Sequence, residues 1–281
     1  MRLSTKWVYL KMPESHGSYL PESIHGKSAV EVAQYAVVKA GKILQARFGK
    51  MNRVQIKGRR NLVTEADLKS EAKILQILKE EFPEHSILSE EAGASGIQGE
   101  YNWIIDPLDG TNNFHFGIPF FCINIALAKK EEVILGVTYD PVRNEMFYAV
   151  KGQGTYLNGK KCSVTHIDSL AEISVGVDLG YVPDRSKELL DIVVSLWTQV
   201  HCLRLMGSSA LGLAYVSCGR LGLYFHKYIY PWDIASGLLL VRESGGEINN
   251  FTGANANIND REIIAANKDL LQKFTEWLAK K

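Results

Sequence analysis

Apolar residues recur at helical spacing over residues 27–49, where Val30, Ala33, Val37, Ala40, Leu44 and Phe48 form one stripe that closes on Gly49. A second helix is predicted over 65–82, with Leu68, Ala72, Leu75, Leu78 and Phe82 as its apolar stripe. Between 119 and 165 the period shortens. FFCINIALA, VILGVTY, EMFYAV and TYL are divided by KKEE, DPVRN and GQG, and Asn158-Gly159 is a strong hairpin signal. These segments predict an antiparallel meander behind two helices. After residue 166 strand and helix alternate. SVGVDLG, HCLRLM, LGLYFH and IIAA read as strands, and residues 186–200, SSALGLAYVSCG and IASGLLLVRESGG as helices, which predicts an α/β half. The expected division is a polar extension over 1–20, an α+β half over 21–165 and an α/β half over 166–281.

The bulk numbers narrow the partners more than the fold. The chain has 281 residues, with 32 basic against 31 acidic side chains and a net charge of +1. No overall field attracts nucleic acid or an anionic membrane, so any anion binding must be local. The longest apolar run, residues 120–128, is too short to span a bilayer, and WVYL near the N-terminus is too short for a signal-peptide core. Cys122, Cys162, Cys202 and Cys218 form no C-x-x-C pair, so reduced thiols in a cytoplasm are expected.

The candidate chemistry lies in the acidic residues at element ends. In WIIDPLDGTNNF (103–114) an apolar strand is expected to stop at Asp106, with Asp109 three residues on. Two carboxylates so close repel unless something positive lies between them. Asp67 in NLVTEAD, Glu90 in ILSEEAG and Asp233 in YPWDIAS complete the set. Each has a plain structural reading: Thr64 and Asp67 fit a capping box, Asp233 fits a helix cap, and the others fit turns. Together they fit a hard divalent cation, which takes oxygen ligands and shares substrate phosphate oxygens. Pro107 would turn the Leu108 carbonyl inward, Gly110 would let the backbone approach a ligand, and Thr111 would open a helix whose free amides favour phosphate. Metal-assisted hydrolysis of a phosphate ester is the chemistry implied. Pro107 occupies the place where aspartyl-phosphate phosphatases carry their nucleophile-partner carboxylate, and no G-x-x-x-x-G-K stretch occurs. A water is therefore the expected nucleophile.

NLVTEAD (61–67), LSEEAG (88–93), WIIDPLDGTNNF, GQGTYLNGKK (152–161) and PWDIASGLLLVRESGG (231–246) resemble the lithium-sensitive inositol monophosphatase family, and the resemblance covers roughly residues 28–275. It implies a layered α-β-α-β-α sandwich, a homodimer, and two or three Mg²⁺ per site. Glu90, Asp106 and the Leu108 carbonyl would hold the first metal, with Asp106, Asp109 and Asp233 holding the second. Asp67 would assist a third through water. Asp67, Glu90 and Thr111 form the implied catalytic set, with Thr111 and Asp67 orienting the attacking water. Asp109 and the Gly110 and Thr111 amides face the substrate.

Two stretches depart from the family pattern. Gly207-Ser208-Ser209 replaces a Gly-Thr-Ala stretch on the substrate side, and His226 stands where relatives carry a polyol-binding glutamate. An imidazole beside Lys227 is expected to donate hydrogen bonds and, when protonated, to attract a second phosphate. Its plain reading is a strand-end histidine packed on Tyr228 or Tyr230. The leading expectation is a Mg²⁺-dependent phosphatase acting on small phosphorylated polyols or sugars, inositol 1-phosphate first. A fructose-1,6-bisphosphatase or dual enzyme is the alternative. A regulatory binding protein that kept the fold is the reading from another class.

Overall fold

The computed structural model describes residues 20–50, 54–58, 61–96, 99–180 and 183–281. The expected extension over 1–20 lies outside the described residues except for Leu20. The chain order is α1 (Ala29–Arg47), β1 (Val54–Gly58), β2 (Asn61–Thr64), α2 (Glu65–Glu81), β3 (Ser86–Ser89), β4 (Gly93–Ser95) and β5 (Tyr101–Asp109). It continues through α3 (Thr111–His115), β6 (Cys122–Lys129), β7 (Glu132–Asp140), β8 (Glu145–Val150), β9 (Gly154–Leu157) and β10 (Lys160–Cys162). The last part comprises β11 (Ser174–Asp178), α4 (Pro183–Leu196), β12 (Cys202–Leu205), α5 (Ser209–Ser217), β13 (Leu223–Lys227) and α6 (Pro231–Glu243). β14 (Glu247–Asn249), β15 (Glu262–Ala266) and α7 (Lys268–Leu278) close it.

An eight-stranded sheet runs β10-β9-β8-β7-β6-β5-β3-β4 and a five-stranded sheet runs β12-β11-β13-β15-β14. The first is antiparallel except at β3–β5, while the second is parallel at β12–β11–β13 and antiparallel beyond. Helices α1 and α2 cover one face of the large sheet, α5 and α6 lie between the sheets, and α4 and α7 cover the far face of the small one. Four hydrophobic clusters fill the four gaps between these five layers. Strand alternation sorts the side chains: Trp103, Ile105, Ile123 and Ile125 face α1 and α2, while Ile104, Ala126 and Ala149 face α5 and α6. The small residues on that second face let α6 sit close. A Cβ on Gly136 would come within 2.9 Å of the Ser236 backbone. The layered α-β-α-β-α sandwich expected from the resemblance is the fold observed.

Three expectations needed revision. The buried face of α2 is Ala66, Asp67, Ser70, Glu71, Ile74, Ile77, Leu78 and Glu81, whereas Leu68 is 43% exposed. The helix is rotated away from the apolar stripe because its first two turns bury polar side chains for the site. Second, β5 does not end at Asp106. It continues to Asp109 through a bulge, with Asp106 opposite Asn124 and Asp109 opposite Cys122, so Pro107 and Leu108 together oppose Ile123. Third, α7 was not anticipated, although Asn267 caps it through Leu270 N–H (2.9 Å) and Leu270, Leu271 and Phe274 are buried on one face.

A candidate metal and phosphate site

The bulge aims two carboxylates to the same side. Leu108 N–H donates to Asp106 Oδ1 (2.9 Å), and the Ser70 hydroxyl pins the Pro107 carbonyl (2.7 Å). Asp109 then reaches the start of α5. The Ser208 hydroxyl and the Ala210 amide (2.8 Å) donate to Oδ2, and the Ser209 amide donates to Oδ1 (3.3 Å). The positive end of that helix favours the charge. Asp233 comes from the first turn of α6, where Oδ2 accepts the Tyr230 amide (2.7 Å). One oxygen each from Asp106, Asp109 and Asp233 lie within 4.8 Å of one another. Residues more than 120 apart in the chain thus meet at one point.

Asp67 and Glu90 stand beside this trio, not within it. Asp67 makes the capping box and also reaches Thr111. Oδ2 accepts from Thr64 N–H (2.9 Å) and its hydroxyl (2.5 Å), which is the capping box, while Oδ1 accepts from the Thr111 hydroxyl (3.0 Å). That hydroxyl also lies 3.0 Å from the Leu108 carbonyl. Glu90 follows β3, on a turn fixed by buried Glu71, which accepts from Ser89, Glu91 N–H (3.2 Å) and Ala92 N–H (2.9 Å). Gly110 has φ of 93°, and a Cβ there would meet the Phe120 and Gly207 carbonyls at 3.0 and 3.1 Å. Only glycine fits that crossing.

A cavity of about 660 Å³ opens over these groups. Glu90, Asp106, Leu108, Asp109, Gly110, Thr111, Gly207, Ser208, Ser209, His226 and Asp233 all line it, whereas Asp67 lies behind Thr111. No Lys or Arg lines it among the described residues. Burial, reinforced by Glu90, Asp109 and Asp233, holds Asp106 well above the usual carboxylate range. Burial and then Asp109 push Asp233 to about 8. Burial raises Asp109 against the opposing bonds from Ser208 and α5, and raises Asp67 to about 6 against those from Thr64 and Thr111. A crowded set of hard oxygen donors that holds protons this firmly offers the chemistry a divalent cation needs. The donor set fits Mg²⁺.

His226 corrects the sequence reading. It is 7% exposed, burial pushes its pKa down to about 3, and it is therefore neutral. Nδ1 lies 3.0 Å from the Ser209 hydroxyl, Nε2 has no partner among the described residues, and the ring meets Tyr224 edge-on. The imidazole is not the cation expected for a second phosphate, and the ring it meets edge-on is Tyr224. The sequence reading missed Ser70, Glu71, Asp178 and Tyr224. Asp178 lines the cavity, is raised by burial to about 7, and accepts from the Gly207 amide and the Tyr224 hydroxyl (2.8 Å). An aspartate ending an apolar strand, SVGVD, was the available signal for it.

Comparison with known proteins agrees with this geometry. The sequence profile of the inositol monophosphatase family matches residues 27–281. Inositol monophosphatase 2 of Solanum lycopersicum is 38% identical over 259 residues, covering 89% of this chain and 97% of its own. A relative in Aquifex aeolicus named fructose-1,6-bisphosphatase/inositol-1-monophosphatase is 36% identical, covering 91% and 96%. The crystal structure of the extragenic suppressor protein SuhB of Bartonella henselae superposes with a TM-score of 0.85 at 33% identity, covering 89% and 97%.

Proposed function

The chain belongs to the inositol monophosphatase family and is a phosphatase, and we propose that it hydrolyses small phosphorylated polyols and sugars with Mg²⁺, inositol 1-phosphate first. The observation that carries this reading is the convergence of Asp106, Asp109 and Asp233 in a cavity that also holds Thr111 and the Gly110 turn. Asp106, Glu90 and the Leu108 carbonyl would hold one cation, Asp106, Asp109 and Asp233 a second, and Asp67 would assist a third. Bound there, the cations supply charge neutralisation and Lewis acidity at the phosphoryl and leaving oxygens.

The chain's own groups do the positioning. The Thr111 hydroxyl, held between Asp67 Oδ1 and the Leu108 carbonyl, accepts a hydrogen bond from the attacking water and passes proton demand to Asp67. A carboxylate raised to about 6 is a competent acceptor near neutral pH. The Gly110 and Thr111 amides face the phosphate, and the α5 turn at Gly207-Ser208-Ser209 faces the rest of the ester. Because no Lys or Arg lines the cavity among the described residues, a second phosphate would find no cationic side chain. That favours a monophosphate over fructose 1,6-bisphosphate, although the Aquifex relative is named for both. A cytoplasmic homodimer, divided near residue 165 into the half with most of the acidic groups and the half bringing Asp233, completes the proposal.

The test is phosphate release with Mg²⁺ from inositol 1-phosphate, fructose 1,6-bisphosphate, phosphoadenosine phosphate, histidinol phosphate and NADP. Inositol 1-phosphate should give the highest kcat/KM. A higher value for any bisphosphate would overturn the substrate choice, and release from none of them would overturn the activity.

A further inference from the structure

Helices α1 and α2 run antiparallel on the outside of the large sheet. The last turn of α1 meets the first of α2, where Arg47 reaches Glu65 (3.7 Å), and the chain entering α1 meets the end of α2, where Ile24 N–H donates to the Glu81 carbonyl (3.0 Å). Their inner faces pack on the sheet, and their outer faces leave a groove of about 560 Å³ between them. The groove shares no lining residue with the acidic cavity.

Its rims are cationic. Lys42 and Arg47 stand on the α1 side, Lys69 and Lys73 on the α2 side, and no acidic residue lines it among the described residues. Glu65 beside the groove answers both Arg47 and Lys69 with one carboxylate. Lys73 Nζ donates to the uncharged Gln76 side chain (2.8 Å), and Lys42 makes no ion pair among the described residues. Four cations less one carboxylate leave three positive charges here, in a chain whose net charge is +1. The floor is apolar and low. Ile43, Ala46 and Ala72 line it, and both alanines are exposed, so another chain can lie close between the two helices.

The complement is acidic along its flanks and apolar along its middle. This chain's own segments outside the described residues are not that complement: residues 1–19 carry Arg2, Lys6 and Lys11 against Glu14, and Arg53, Arg59 and Arg60 add only positive charge. Nucleic acid would find phosphate contacts but no platform for its bases, because no aromatic side chain lines the groove among the described residues. Membrane-binding faces put their apolar side chains foremost, whereas here they lie below a charged rim. We infer that the α1–α2 groove docks an acidic amphipathic helix of another protein, its apolar stripe on Ile43, Ala46 and Ala72 and its carboxylates on the four cations. Each exposed ion pair contributes little by itself and is screened by salt. The affinity is a sum over the rim and falls with ionic strength.

The probe is a fluorescently labelled synthetic helix of about 18 residues, with alanine and leucine along one stripe and glutamate on both flanks, its binding to the full chain read by anisotropy. It should bind at low salt and lose about tenfold in affinity between about 50 and about 300 mM NaCl. The double variant Lys42→Glu, Lys73→Glu should bind it about tenfold more weakly or worse. Ala72→Glu, which puts a carboxylate on the floor and leaves every cation in place, should do the same and keeps the test decisive even if the double variant folds poorly. Phosphate release should be unaltered in both variants, because none of these residues belongs to the metal or substrate site. A peptide of the same composition scrambled to break the stripe, and oligothymidylate of equal charge, should bind more weakly than the probe. No binding of the probe, equal binding by the variants, or equal or tighter binding of the scrambled peptide, of oligothymidylate or of phosphatidylserine vesicles would overturn the inference. Sedimentation should give one oligomeric state for parent and variants, and a change in it would assign the groove to a second copy of this chain instead.

Discussion

Replacing Asp233 with asparagine should stabilise the metal-free protein, and the size of the effect follows from where the carboxylate sits. Its Oδ2 accepts the Tyr230 amide (2.7 Å), a bond the asparagine carbonyl keeps, so the cap of α6 survives. What changes is the charge. Burial and Asp109 raise Asp233 to about 8 in the fold, against roughly 3.9 in the unfolded chain. The unfolded state therefore ionises first, and wild-type stability falls as pH rises from about 4 to about 8, by up to ~1.4 kcal/mol per pH unit. At pH 7.5 the ceiling is about 5 kcal/mol. Because Asp233 is only half-buried, solvent screening reduces this to about 2–3 kcal/mol. Asparagine carries no such penalty, so its advantage should be largest near pH 8 and vanish below pH 4. For a chain of this size that is a rise in Tm of roughly 3–5 °C. Thermal unfolding with a chelator at pH 4, 6 and 8 measures it. Added Mg²⁺ should reverse the order, since ligand binding stabilises the parent by mass action and the variant has lost a ligand. A variant less stable than the parent at pH 8 without metal, or equally stabilised by Mg²⁺, would refute this electrostatic reasoning.

Three further outcomes are expected. Glu71→Gln loosens the turn that carries Glu90 and should weaken Mg²⁺ activation about 10- to 100-fold, the usual consequence of losing an outer partner, as read by a Mg²⁺ titration of kcat. Thr111→Ala should lower kcat with little change in KM, because the water it orients is not part of the bound ester, and unchanged kcat would remove Thr111 from the mechanism. Hydrolysis of a chiral phosphate ester in ¹⁸O-labelled water should invert configuration at phosphorus, and retention or a trapped phosphorylated side chain would show a protein nucleophile.

The sequence was most legible where chemistry and local structure coincide. Asp67 caps α2 and Asp233 caps α6, so start signals for helices also pointed to the acidic cluster. The meander from β6 to β10 carried its own hairpin signals. It was least legible where polar groups are buried for a purpose. Hydropathy misplaced the inner face of α2 because Asp67, Ser70 and Glu71 lie inside, held by partners on β5 and the turn after β3. The bulge at Pro107 and Leu108 leaves no period to detect. Asp178 and Tyr224 pair only once β11 and β13 are neighbours, and the neutrality of His226 follows from burial that neighbouring Lys227 gave no hint of.

The claim that Asp106 stands at the centre of a metal-dependent phosphatase site is tested most directly by phosphate release from inositol 1-phosphate, with and without Mg²⁺, by the parent and by Asp106→Asn. Turnover should require the metal in the parent, and the folded variant should lose more than the roughly 10- to 100-fold that an outer partner accounts for. Turnover that persists with chelator, or an Asp106→Asn protein close to the parent in kcat, would contradict it.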